Sequence, residues 1–363
     1  MFRPLLALAA SALALLTLAS THAQAQSNVI PGTDIALGGL GSLGYQGHVG
    51  TYPNGQSGFA MSTTSCNTGA AVIPFNAAMQ EQHPFISFLL VRQDADRMVQ
   101  ISDRSFMKHA WAATCGGFCS SCSCGGGGLG LGCSDTYSVG INANRYWLGP
   151  TEELDPYLGV WHALGSFFDG TPVDGARSYT GSEPNAINGR IIVNDSALAI
   201  PGSSYFYQAM YTCRGEEESQ RANNLGYHPF SATWTGSAWN VSSSSSTSVP
   251  SMGSVLNAWS GATLSLANNG TADGRIHVAY KVTFTGGTYH YEYALHNQDN
   301  NRAVGRFEIP IDPSVTAVNI GFRDIDANAA NDWTVTQAGG ALVFETTNNP
   351  VAWNTIYNFW FDA

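Results

Sequence analysis

Charge is the scarcest ingredient of this sequence. Only 11% of its 363 residues are Asp, Glu, Lys or Arg, and 15 Lys and Arg face 26 Asp and Glu, for a formal net charge of -11. No run of lysines or arginines offers a basic patch, and a phosphate backbone demands one, so no nucleic acid is expected as a partner. Long apolar runs are missing beyond the N-terminus. Nothing later reaches the roughly 20 apolar residues of a membrane helix, so no membrane span is expected in the mature chain. Helical periodicity is scarce, and the G-x-S-x-G pattern of a strained nucleophile turn is absent.

The N-terminus decides how the cysteines are read. Arg3 precedes an almost wholly apolar stretch from 5 to 18, and Ala23-Gln24-Ala25 supplies the small-x-small pattern of a cleavage site. Residues 1–25 are therefore expected to be a signal peptide cleaved near Ala25, leaving a secreted or periplasmic protein. An oxidising compartment favours disulfides. The seven cysteines are Cys66, Cys115, Cys119, Cys122, Cys124, Cys133 and Cys213; an odd number leaves one thiol over or pairs it between molecules. Five of them lie in TCGGFCSSCSCGGGGLGLGCSD, residues 114–135. Cys119, Cys122, Cys124 and Cys133 could supply four zinc ligands, but the export signal and the lack of a repeated C-x2-C pair favour disulfide staples. The glycines make ordering this loop entropically costly, which cross-links offset. The pairing cannot be deduced from spacing.

Glycine, serine, threonine and aromatics fill the space that charge leaves. Short strand-like runs separated by polar turns predict an all-β fold: one or two antiparallel β-sandwiches with a disulfide-pinned Gly/Cys-rich loop. Residues 26–241 read as an N-terminal β-rich domain, irregular as far as about 60 apart from a strand near Tyr45 to Tyr52. The serine-rich stretch 242–251 reads as a linker or a loop, and 252–363 as a C-terminal β-sandwich. GLGSLG matches a dinucleotide fingerprint through Gly39, Gly41 and Gly44, yet no βαβ unit surrounds it to give the motif meaning.

One hairpin is predicted in full. In RIHVAYKVTFTGGTYHYEYALHN, residues 275–297, Gly286-Gly287 suits a two-residue turn in which both positions need positive φ. That turn opposes Thr285 to Thr288 and sets every later pair. Val278, Tyr280, Val282 and Phe284 share one face with Tyr289, Tyr291, Tyr293 and Leu295. The other face pairs Thr283 with His290, Lys281 with Glu292, Ala279 with Ala294 and His277 with His296. A slip of one residue would mix the two faces. The polar face is expected to meet solvent. Opposed His277 and His296 are also candidate ligands for Cu or Zn, with a third ligand from His83, His109 or His162.

Other constellations are weaker. Lys108 and His109 precede the cysteine loop and Ser134 and Asp135 close it, a candidate catalytic acid–base or nucleophile set. Asp324, Asp326 and Asp332 stand at positions 1, 3 and 9 of an EF-hand-like count, a candidate Ca site, although Ala329 and Val335 occupy the places of its glycine and bidentate glutamate. Glu152, Glu153 and Asp155 are too clustered to suggest a glycosidase pair by themselves. Trp147, Trp161, Trp234, Trp239 and Trp259 are candidates for stacking on sugars or for the core.

The phrases TTSCN, KHA, LGCSDTYSVGINA, LGPTEEL, YHYEYALHN with RAVGRFEIP, and NTIYNFWFDA, spread over most of the mature chain, resemble a group of secreted proteins of planctomycetes and other bacteria. No activity is established for that group, so the resemblance implies secretion and assigns no catalytic residue. Its members carry histidines near the place of FRDIDANAAND, so a metal site shared by the group would be weakened here. The function expected is that of an exported non-catalytic β-protein binding a cell-surface or extracellular protein or glycan. The alternative is a secreted metal-dependent enzyme, using Cu or Zn, acting on an extracellular polymer.

Overall fold

The computed structural model describes residues 29–363 except 105, 125, 246–247, 268–272 and 327. The expected signal peptide and its cleavage site lie outside the described residues. Strands dominate, and every strand pair is antiparallel. The first sheet joins Ile35–Val49, Gln56–Asn67 and Ile191–Asn194, with Ser134–Tyr137 beside the second of these. The first strand is longer than the sequence suggests, because bulges let a glycine-rich segment keep pairing. GLGSLG lies inside this strand; a Cβ at Gly44 would come within 2.7 Å of Val139, so the glycine serves close packing and no phosphate turn.

The second sheet runs Trp239–Ser242, Leu225–Trp234, Ser204–Thr212, Phe85–Gln93, Met107–His109, Leu148–Gly149. Side-chain alternation gives it two buried faces. Phe88, Leu90, Tyr207 and Tyr211 pack on the first sheet with Leu37, Leu40 and Phe59. Leu89 and Val91 point the other way, with Met98, toward Ala279, Ala294 and Ile356 of the third sheet. That sheet is ordered Thr263–Ala267, Ile276–Thr285, Thr288–Asn297, Thr355–Asp362, Val318–Arg323. Its far face, with Tyr293, Leu295 and Phe359, packs on the fourth sheet, Arg306–Pro310, Ala341–Glu345, Thr334–Ala338, through Phe307 and Phe344. Two sandwiches therefore lie face to face as four layers.

The hairpin has the expected register throughout, from Thr285 opposite Thr288 to His277 opposite His296. Its surroundings overturn the expectation about exposure. The polar face is the seam between the sandwiches: Glu292 and His296 are buried, while Phe284 and Tyr289 on the apolar face are 60% and 46% exposed at the hairpin tip. Small Ala279 and Ala294 let the sheets approach, and polar side chains at the seam find partners across it. Asn358 Nδ2 donates to Met98 O at 2.9 Å, Ile356 N donates to Gln100 Oε1 at 2.8 Å, and Asn354 Nδ2 donates to Phe88 O at 3.0 Å. Lys281 and Glu292, cross-strand neighbours, do not pair with each other. Arg97 takes the Glu292 carboxylate with two bonds of 2.6 and 2.7 Å, and Lys281 donates to Ala95 O. The serine-rich stretch is fastened to the first sheet, with Leu40 N donating to Ser248 O and Leu43 N to Ser243 Oγ. It acts as a loop within the first sandwich.

Candidate functional site

Lys108 and His109 are neighbours on Met107–His109, so strand alternation sends their side chains to opposite faces. Lys108 enters the first sandwich with its ammonium 5.1 Å from the rings of both Tyr137 and Trp147. Burial pushes its pKa down to about 7, against a smaller upward pull from Asp135. Burial likewise raises the Asp135 carboxyl, while the N–H and hydroxyl of Thr114, donating to Oδ1 at 2.9 and 2.8 Å, and the charge of Lys108 oppose the rise. Ser134 is committed to the cysteine loop, its Oγ accepting from Phe118 N at 3.1 Å.

On the opposite face His109 is enclosed by Phe85, Trp111, Trp161 and Phe168, with ring centroids 4.8 to 5.0 Å away. His83 Nδ1 lies 2.8 Å from Gln80 O, a group that can only accept, so the proton sits on Nδ1. His83 Nε2 must then accept from His109 Nδ1, 2.9 Å away. This leaves His109 Nε2 as a buried nitrogen with no partner. Burial lowers His83 to about 3 and His109 well below the ordinary imidazole value. Of the four residues proposed as a set, Lys108 and Asp135 favour each other's charged form, whereas the charge of Lys108 opposes protonation of His109. His109 cannot reach the same substrate atom from the other side of the sheet.

The histidine pair of the hairpin stacks at 5.5 Å between ring centroids. His277 Nε2 is 2.9 Å from Gln298 Oε1, His296 Nδ1 is 2.8 Å from Ser254 Oγ, and burial lowers both pKa values. Among the described residues no third His, Cys, Asp or Glu joins the pair at metal-ligand spacing. His83 and His109 bond each other, and His162 lies on the surface against Glu81. The calcium candidates do not converge either. Asp324 and Asp326 accept from the N–H groups of Asp326 and Asn328, as ordinary turn residues do, and no three-carboxylate group containing Asp332 forms among the described residues. Glu152 pairs with Arg104 at 3.0 Å, whereas Glu153 accepts from Trp161 Nε1 and Phe167 N.

The cysteines form two disulfides, Cys66–Cys119 and Cys122–Cys133. Cys115 and Cys124 are exposed without a disulfide, and Cys213 is buried. The loop is thus stapled, by two bridges that use four of the seven cysteines.

One cluster was not singled out in the sequence. The turn after Ile35–Val49 lays Tyr52 flat on Trp234, with ring centroids 4.9 Å apart and planes at 6°. His48 sits 5.1 Å from the same Trp234 and bonds Asp195 at 2.6 Å, while Asp195 also accepts from Ser57 Oγ and Trp239 Nε1. Trp234 and Trp239 oppose each other across the hairpin made by TWTGSAWN. At the rim, exposed Gln56 Nε2 donates to Asn194 Oδ1 at 3.0 Å.

Comparisons with family models, with curated proteins and with solved structures find no match to this chain. Nothing outside the geometry assigns a role to any of these clusters. Trp161, Trp239 and Trp259 are buried, Trp161 completely, while Trp147 and Trp234 are half-buried against the core. Tyr52, 38% exposed, lies flat on Trp234 and meets Trp239 edge-on at 5.8 Å, so of the five it is Trp234 that joins a stacked pair with an exposed ring. The signals that could have found the rim were the YPNG turn and the W-x4-W hairpin.

Proposed function

We propose that the protein is an exported, non-catalytic β-protein of the cell surface or envelope that binds a neutral glycan at the rim of His48, Tyr52 and Trp234. The observation that carries this reading is the exposed Tyr52 ring held flat by Trp234, with the His48 imidazole against the same Trp234 and the exposed Gln56 amide at the rim. A sugar ring offers an apolar face of C–H groups, for which an immobilised aromatic plane is a good partner, and hydroxyls that need polar groups beside that plane. The pre-stacked ring loses little freedom on binding. A net charge of -11 disfavours an anionic polysaccharide. The two disulfides support an oxidising compartment. Against catalysis stand the burial of Lys108, His109 and His296 and the separation of His109 from Lys108 and Asp135 by the sheet.

Affinity electrophoresis of the intact mature chain in gels containing neutral soluble polysaccharides tests the proposal. Retardation by at least one polymer is expected, with Tyr52→Ala and Trp234→Ala each weakening it at least tenfold, about 1.4 kcal/mol. Phe284→Ala, on the exposed hairpin tip, is expected to leave it unchanged. Retardation of the Tyr52→Ala and Trp234→Ala variants equal to that of the parent, or no retardation of the parent, would overturn the assignment.

A further inference from the structure

The Gly/Cys-rich loop does more than staple itself. The Sγ atoms of Cys115, Cys122, Cys124 and Cys133 all lie within 4.8 Å of one another. Cys122 and Cys124 are 3.3 Å apart and Cys124 and Cys133 3.7 Å, while Cys122 and Cys133 are bonded. A tetrahedral tetrathiolate with Zn–S bonds of about 2.3 Å has S···S edges of about 3.8 Å. The four sulfurs therefore approximate such a cage with one edge closed as a disulfide. The membership differs from the spacing-based set: Cys119 turns away to bond Cys66, and Cys115 takes its place.

Hydrogen bonds that do not involve the sulfurs also brace the two arms of the loop. Gly116 and Ser134 exchange two hydrogen bonds of 2.7 and 2.8 Å, Ser123 N donates to Leu131 O, and Cys133 N donates to Gly130 O. Ile73 pairs with Leu129, whose carbonyl accepts from Asn67 Nδ2 at 2.8 Å. Glycine is required where the two arms meet. A Cβ at Gly130 would fall 2.0 Å from Ser123 O, and one at Gly132, whose φ is +69°, would fall 2.5 Å from Ser121 O. These contacts, like the Cys66–Cys119 bridge, are made without the sulfurs of Cys122 and Cys133.

We propose that Cys115, Cys122, Cys124 and Cys133 are a redox-gated metal site that binds one Zn2+ as a tetrathiolate after a small dithiol reduces Cys122–Cys133. Two electrons and two protons pass from the dithiol to the sulfur–sulfur bond, and the reductant leaves as its own disulfide. Zn2+ then displaces the four thiol protons to solvent. Thiolate softness selects a d10 cation over Mg2+ or Ca2+. This site is independent of the glycan rim.

The test is titration of the intact chain with Co2+, after anaerobic dithiothreitol treatment and removal of the reductant. The expected result is one Co2+ per chain with the absorption of tetrahedral cobalt thiolate, displaced by one equivalent of Zn2+. Cys124→Ser and Cys115→Ser, at exposed positions, should each weaken uptake at least tenfold with unchanged circular dichroism, and Cys213→Ser should bind as the parent does. No cation uptake by the reduced parent, or uptake unaffected by Cys115→Ser and Cys124→Ser, overturns the site.

Discussion

Arg97→Met should uncouple the two sandwiches, and its cost can be worked from the seam. Glu292 is almost fully buried, and its two oxygens take the guanidinium of Arg97 at 2.6 and 2.7 Å. The same guanidinium lies 3.6 Å over the Trp360 ring. Methionine keeps much of the packing and removes the charge. Breaking a buried pair by deleting one partner costs about 3–5 kcal/mol, because the other charge is left behind. His290 Nε2, 3.3 Å from Glu292 Oε2, softens the loss, so about 3 kcal/mol is expected near pH 8. Burial already raises the Glu292 carboxyl above its ordinary value, and removing Arg97 raises it further. In the variant the folded state then holds a proton that the unfolded chain releases above about pH 4.3, so its extra instability grows as pH rises and shrinks toward about pH 5. Urea unfolding of parent and variant, followed by tryptophan fluorescence at both pH values, gives the difference directly. Arg97→Met/Glu292→Gln should recover most of the loss. A penalty under about 1 kcal/mol, or one equal at both pH values, would refute this account of the seam.

Two further outcomes follow from buried titratable groups. Lys108 is held at about 7, so between about pH 7 and 10.4 the unfolded chain binds a proton that the folded one lacks, and stability should rise with pH by up to about 1.4 kcal/mol per unit. Lys108→Met should flatten that slope and raise the melting temperature at neutral pH; an unchanged slope would count against a buried neutral amine. His83, His109 and His296 are all held below the ordinary imidazole value, so acidification below about pH 6.5 should destabilise the protein by up to about 1.4 kcal/mol per unit for each. His296→Leu should remove one share of that dependence, seen as a shallower fall of the unfolding midpoint between about pH 6.5 and 4. An identical fall would place the proton uptake elsewhere.

Much of this molecule is local in origin. A Gly-Gly turn, flanked by alternation that survives only one register, determines the pairing from Ile276 to Asn297 without reference to the rest of the chain. Polar turns, β-branched and aromatic residues and the scarcity of helical periodicity determine an all-β class, and glycine with cysteine marks a loop that needs cross-links. These features depend on neighbours a few residues apart or on composition.

What the tertiary structure decided is which side of each strand is inside. Alternation separates two faces but does not say what covers them, and in a four-layer stack both faces of a middle sheet are buried. The face bearing Glu292 and His296 therefore resembles a solvated surface in sequence and is a seam in the fold, because Arg97, Ser254 and Gln100 arrive from distant segments to satisfy it. The same holds for chemistry. Lys108 and His109 are adjacent in the chain and separated by a sheet, whereas Tyr52 and Trp234 meet from 182 positions apart. Cys115 joins Cys122, Cys124 and Cys133 because Cys119, nearer in spacing, is drawn off to Cys66 by a strand of the first sheet. Spacing nominates ligands and stacking partners; long-range packing selects among them.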